Sequence, residues 1–213
     1  MKKLKTLLVI TLVSMVSFVG AQTPSLSVKG GLNMSNIIGD KISDKSMKTG
    51  FHIGIGADFD FAPNMAIQSG LFFTSKGAKY TEDFLNSELK VNANYLQIPV
   101  HFAYKIDVMP GTRIALHAGP YIAYGVGGKI NFRNSLTDEI KDRFDINKSK
   151  LNTFDTVLNN FDAGLGLGVG AEFGAILVDI GWDMGLVNNS KYEGKYGENI
   201  KTQNAYITLG YKF

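Results

Sequence analysis

Three histidines, His52, His101 and His117, are the residues best suited to chemistry in this chain of 213 residues, which contains no cysteine. Imidazole serves as a metal ligand and as an acid or base near neutral pH. If the chain turns symmetrically about Met109, His101 falls directly opposite His117, which brings the two Cβ atoms within about 5 Å. The same register sets Lys105 opposite Arg113, a like-charge pairing that argues for a shift by two residues. Closed metal sites usually want four ligands, and no third is evident here. A hydrogen-bonded cluster is therefore the expectation, with a metal bound by His101 and His117 as the alternative. No cofactor site is expected.

Asp58 and Asp60 stand two apart on what reads as one strand face, and paired carboxylates are able to do acid–base work. Lys105, Arg113, Glu172 and Lys212 should lie near Asp60, so an ion-pair network is the expected role of these groups. Charges enclosed in a low-dielectric space must be paired. Gly166-Leu167-Gly168-Val169-Gly170-Ala171 matches G-x-G-x-x-A. That fingerprint must follow a strand and open a helix, whereas here it lies inside a strand pattern. No Ser-His-Asp spacing or metal motif stands out, and no catalytic, cofactor-binding or metal residue is assigned.

The elements that carry these groups are strands. Period-2 alternation, the mark of a strand with two distinct faces, recurs eight times: Leu26 to Ser35, Phe51 to Asp60, Met65 to Thr74, Tyr95 to Lys105, Arg113 to Tyr124, Phe161 to Phe173, Ile176 to Met184 and Asn204 to Phe213. One face is aliphatic and aromatic; the other is glycine, charge, amide and hydroxyl. Ser69 interrupts the apolar face of the third segment. Each segment has about the 9–11 residues that a tilted membrane strand needs, and their number is even.

The connections alternate in length. Residues 62–64, 107–111 and 174–175 are short turns; 36–50, 75–93, 127–160 and 188–202 read as long polar loops. Ser135 with Asp138 is a helix-start pattern, so a short helix over 136–144 is the alternative to plain loop there. With the apolar face outward, Phe59, Phe61, Tyr104, Phe173, Tyr211 and Phe213 gather at the short-turn end. Phe51, Phe73, Tyr124 and Phe161 gather at the long-loop end. Two aromatic girdles around an aliphatic band are expected at the two interfaces of a membrane. The fold class is thus all-β, an eight-stranded antiparallel up-and-down transmembrane β-barrel.

Such a barrel has an interior just wide enough for side chains. Glycines on the sixth strand leave room for long residues opposite. A two-residue turn at Gly174-Ala175 sets Asp179 beside Gly170 and Asp183 beside Gly166. The lumen then receives Lys29, Asp58, Asp60, Lys105, Arg113, Asp162, Glu172, Asp179, Asp183 and Lys212, with Tyr95, Tyr121 and Tyr206 adding bulk. A plugged lumen is the expectation.

The amino terminus has the form of a secretory leader. Lys2, Lys3 and Lys5 precede an apolar stretch from Leu7 to Val19, and Val19-Gly20-Ala21 supplies small residues for cleavage after Ala21. Residues 1–21 are the expected signal peptide and 22–213 the barrel domain. No cysteine follows the cut, so a lipoprotein anchor is not expected. The leader holds three of the 22 basic residues and none of the 19 acidic ones, which leaves the mature chain neutral. Nothing in that balance is a nucleic-acid footprint.

The residues also resemble a family. Val28-Lys29-Gly30-Gly31-Leu32-Asn33-Met34-Ser35-Asn36 is similar to the "GxNxS" first strand of the outer-membrane β-barrel (PorT-type, porin-family) proteins of Bacteroidetes. Ser75-Lys76-Gly77-Ala78, Asn94-Tyr95-Leu96-Gln97-Ile98-Pro99, Ala118-Gly119-Pro120-Tyr121, Phe161-Asp162-Ala163-Gly164-Leu165-Gly166 and the terminal Gly210-Tyr211-Lys212-Phe213 match it in order and spacing. The resemblance implies an outer-membrane location, contact with outer-membrane lipids, and a terminal strand read by the barrel-assembly machinery. One branch of that family supports protein secretion. A structural or interaction role is the expectation, through the long extracellular loops or a periplasmic partner. A secretion or transport accessory or a small porin is the alternative, and an outer-membrane enzyme the third.

Overall fold

The structure, a computed structural model, describes residues 23–38, 45–82, 87–134, 153–156, 158–191 and 200–213. The expected leader and the candidate helix over 136–144 lie outside the described residues. Eight strands run in chain order: β1 (Ser25–Ile38), β2 (Lys45–Ala62), β3 (Met65–Glu82), β4 (Ser87–Met109), β5 (Thr112–Asn134), β6 (Phe161–Phe173), β7 (Ile176–Gly185) and β8 (Lys201–Lys212). One four-residue helix, α1 (Thr153–Thr156), precedes β6. The strands form a closed barrel in which each pairs with its sequence neighbours and β8 returns to β1. All pairings are antiparallel. Closure leaves no sheet edge for lipid to leave unsatisfied.

The short turns are sharper than the sequence suggested. Met109 pairs with Thr112, so Pro110 and Gly111 alone make the β4–β5 turn, with Gly111 at φ 76°. Proline followed by a residue of positive φ is the chemistry of a type II turn. This turn centre replaces the register symmetric about Met109 by one shifted two residues, the shift that the like-charge conflict argues for. His117 lies across from Ala103, and Arg113 across from Asp107, in place of Lys105. The like-charge conflict disappears, and Arg113 Nε bonds Asp107 Oδ1 at 2.9 Å. At the β6–β7 turn Gly174 adopts φ 60°. Asp179 then pairs with Gly170 and Asp183 with Gly166.

Of the expected long loops, 36–50 and 75–93 are largely strand, and 127–160 begins as strand. The β3–β4 ladder continues from Ser75↔Asn94 to Glu82↔Ser87, and the β4–β5 ladder from Gly127↔Asn94 to Asn134↔Ser87. Much of 75–93 and the first part of 127–160 are therefore paired backbone. The sequence hid this because the faces exchange roles there. Ala78, Val91, Ala93 and Ile130 are buried inward while Lys90 and Lys129 are exposed, so an apolar outer face no longer marks the strand although the hydrogen-bond ladder persists. β4 and β5 each have 23 residues, roughly 75 Å at ~3.3 Å per residue. A tilt near 40° leaves roughly 55 Å along the axis against an apolar band of about 25 Å.

The faces are inverted relative to a water-soluble barrel. Along β6 the exposed residues are Phe161, Leu165, Leu167, Val169 and Phe173, while Asp162, Gly164, Gly166, Gly168, Gly170 and Glu172 are buried. Leu167 and Leu209 are each 63% exposed, whereas Asp162 is fully buried. Phe73, Leu96, Tyr124 and Phe161 form one cross-strand row from β3 to β6. Phe51 packs on Phe73 at 5.9 Å between ring centroids. At the other end Phe61 meets Phe102 at 6.2 Å and Tyr211 meets Phe213 at 5.5 Å. Ser69 is accommodated on the apolar face by a bond from its Oγ to the Pro99 carbonyl, 2.9 Å.

The outward apolar face yields a direct test. Leu167→Arg places a charge at mid-strand toward lipid and should lose about 2–4 kcal/mol of folding free energy. Equilibrium unfolding from lipid vesicles measures it. A silent Leu167→Arg beside a non-folding Asp179→Asn would mean that inside and outside are exchanged.

Candidate functional site

The polar faces of all eight strands converge on the lumen, and their side chains fill it in three layers. At the short-turn end Lys105 is the hub. Its Nζ lies 3.0 Å from Asp58 Oδ2, 3.0 Å from Asp60 Oδ1 and 3.2 Å from Glu172 Oε1. An ammonium has three donors, and here each meets a carboxylate. Lys212 Nζ donates to the other oxygen of Glu172 at 2.7 Å, and Gln68 Nε2 to Asp58 Oδ2 at 2.8 Å. The network draws on β2, β3, β4, β6 and β8, so it ties the barrel across its axis. The β2–β3 turn is fastened to the same place: Lys105 N donates to the Asn64 carbonyl and Asn64 Nδ2 to the Lys105 carbonyl.

The paired carboxylates Asp58 and Asp60 are thus joined through one lysine. Arg113, expected in this group, instead pairs with Asp107 at the barrel rim.

The middle layer holds all three histidines. His101 Nδ1 and His117 Nδ1 are 3.0 Å apart, with the rings stacked at 15°. His117 Nε2 lies 2.7 Å from Asp179 Oδ2. His52 Nε2 pairs with Thr208 Oγ1 at 2.9 Å, and its ring meets Tyr206 edge-on. Gln97 Nε2 donates to Asp183 Oδ2 at 2.9 Å. Between them is a cavity of about 90 Å³, lined in part by these three histidines, Gln97, Asp179 and Asp183. That is room for a few waters.

Glycines make this packing possible. A Cβ on Gly166 would stand 2.8 Å from His101 Nε2 and 2.7 Å from Asp183 Oδ1, and one on Gly168 would stand 2.6 Å from His117. Gly164 seats Tyr121 and Gly181 seats Tyr206 in the same way. The G-x-G-x-x-A segment is therefore a wall of sockets. It is paired with β5 and β7 along its whole length, so it opens no helix and offers no phosphate cradle.

The third layer faces the long loops. Asp162 accepts from Thr202 Oγ1 at 2.8 Å and Tyr121 OH at 3.3 Å, with Lys76 Nζ at 3.7 Å. Lys76 also lies over the Tyr121 ring, 4.7 Å from its centroid, and over Tyr95 at 5.5 Å, a desolvated cation–π arrangement. Above it sits an apolar cap of Ile37, Ala78, Val91, Ala93, Ala123, Phe154 and Leu158. Phe154, carried by α1, meets Tyr95 edge-on at 5.3 Å and rests on Gly125. Thr153 Oγ1 anchors α1 to the Asn92 carbonyl at 2.6 Å.

Lys76 and Phe154 were missed from sequence, because both fall in segments read as loops. For Lys76 a signal existed. It continues the inward series of Gln68, Gly70, Phe72 and Thr74 by one further step of two. Among the described residues, no group of three or more His, Cys, Asp or Glu is placed to hold a metal ion.

A family model described as "Outer membrane protein beta-barrel domain" matches residues 21–191. No curated protein sequence matches the chain. Among solved structures, a major outer membrane protein from Thermus thermophilus is similar with TM-score 0.50 at 13% identity, over 90% of this chain and 100% of that one. Ail, the attachment invasion locus protein of Yersinia pestis, is similar with TM-score 0.45 at 14% identity, over 90% and 100%. Neisserial surface protein A is similar with TM-score 0.48 at 12% identity, over 90% and 100%. At these identities the likeness is one of fold.

The glycine wall carries the second test. Gly168→Val pushes a branched side chain into His117 and should destabilise the barrel by about 1–3 kcal/mol through overpacking. Urea unfolding in lipid vesicles reads the loss. Unchanged stability would show that the glycines are not needed to seat the lumen rings.

Proposed function

The chain belongs to the outer membrane protein β-barrel domain family, and from that premise we propose that it is a PorT-type, porin-family barrel of the Bacteroidetes kind with a closed lumen and a structural or interaction role. In this reading residues 1–21 are a cleaved signal peptide, and the terminal strand is handed to the barrel-assembly machinery. Outer-membrane lipids cover the apolar band. The working surface is then the sheet extension raised by β3, β4 and β5 with its loops, or a periplasmic partner at the short-turn end. No nucleic acid and no cofactor takes part, and no reaction is catalysed.

The observation that supports this reading is the packing of side chains across the lumen at two levels. Lys105 and its three carboxylates block one end, and Phe154 with Leu158 caps the other above the Lys76–Asp162 pair. In this reading an eight-stranded barrel filled in this way carries no continuous water path, whereas open channels use many more strands. The central cavity is what favours the second reading, a small porin or transport accessory, since its polar walls would suit a hydrated passage if one end opened.

Conduction separates the two readings. Purified protein in planar bilayers should show no stable ion conductance. Reproducible single-channel steps from the folded monomer would put the porin reading first.

A further inference from the structure

We propose that His101 and His117 form a binding site for one divalent transition-metal ion of the kind that favours imidazole, with Cu(II) the tightest-bound. Two sp² nitrogens, His101 Nδ1 and His117 Nδ1, face the same gap at 3.0 Å. Without a metal that gap holds one shared proton, donated by one ring and accepted by the other. Metal–imidazole bonds are about 2.0–2.1 Å, so an ion touching both nitrogens lies to one side of the line joining them and subtends roughly a right angle. Such an angle suits tetragonal geometry, which nitrogen and oxygen donors give to Cu(II) or Ni(II), and the usual affinity order places Cu(II) first.

The surroundings of His117 match what a metal-binding imidazole needs. A ligating histidine generally donates its second ring N–H to a carboxylate or carbonyl, which fixes tautomer and orientation. His117 Nε2 has Asp179 at 2.7 Å for that purpose. A neutral His101 with Nδ1 free carries its proton on Nε2, which is buried without a hydrogen-bond partner, so the metal–nitrogen bond must offset one unsatisfied N–H. Both rings are held from behind by the sockets of Gly166 and Gly168, which limits the motion that would separate the nitrogens. The protein supplies two ligands, and both line the cavity of about 90 Å³, which holds the waters that complete the shell. His52, bonded to Thr208 in the same cavity, is outside the chelate. The ion would take the place of the shared proton, which moves to His101 Nε2, so both rings stay neutral and no proton is released.

The test uses tag-free mature protein refolded in detergent, with Cu(II) as the probe. Because both ends of the lumen are closed, the ion is offered both to the folded protein and before refolding. By either route the expected result is one tightly held Cu(II) per chain, with an electron paramagnetic resonance spectrum split by two imidazole nitrogens. Asp179→Asn keeps both ligands and should weaken binding 10–100-fold, while His52→Gln should leave it unchanged. His101→Gln and His117→Gln should each abolish the two-nitrogen signature in protein whose unboiled gel mobility shows an intact barrel. If either variant fails to fold, the wild-type spectrum and Asp179→Asn still decide. No bound Cu(II) by either route, a spectrum lacking two imidazole nitrogens, or Cu(II) binding insensitive to Asp179→Asn and to the histidine changes would overturn the site.

Discussion

A closed barrel of eight strands has little interior volume for solvated charge, here a cavity of about 90 Å³, yet lipid claims the outward apolar faces of those strands. The polar faces must therefore meet one another inside, and each charge must find its partner across the axis. Lys105 shows the consequence: it is 2% exposed, with three carboxylates within 3.2 Å. Breaking a buried ion pair by removing one partner is strongly destabilising, because the other charge is left enclosed. The lumen network, the glycine sockets and the register of the turns all follow from this single requirement.

The requirement also explains why the polar groups span the barrel in the way they do. Asp162 is met from β5, β8 and β3 through Tyr121, Thr202 and Lys76. The lower network joins β2, β3, β4, β6 and β8 through Lys105, Lys212 and Gln68. Ladder hydrogen bonds hold each strand only to its two neighbours. The cross-lumen bonds hold strands that the ladder never joins, which turns a flexible hoop into a solid. The same contacts fill the lumen, so rigidity and lumen filling here have one cause.

Much of this was legible in the residues. Alternation in residues 164–170 gave the strand, the inward glycines and the outward Leu165, Leu167 and Val169 together, because a lipid-facing strand repeats with period 2. The aromatic rows were legible for the same reason. The extended ladders beyond Ser75 and Gly127 were not, since their apolar residues, Ala78, Val91, Ala93 and Ile130, face inward and the outer apolar face that marks the other segments is missing. Lys76 was lost with them. The meeting of His101 with His117 holds in the shifted register that the like-charge conflict argued for: a shift by two keeps both on the inner face, and long side chains still reach diagonally. Phe154 was out of reach altogether, because its burial depends on a loop folding back over the barrel mouth.

The central claim is that the lumen is held by charge neutralisation around Lys105, and equilibrium unfolding of Lys105→Met in lipid vesicles tests it most directly. The account predicts a loss of about 3–5 kcal/mol. Most of that loss should be recovered when Asp58→Asn and Glu172→Gln are added, because the stranded carboxylates are then gone. A Lys105→Met barrel within about 1 kcal/mol of the parent, or a triple variant no more stable than the single one, would contradict it.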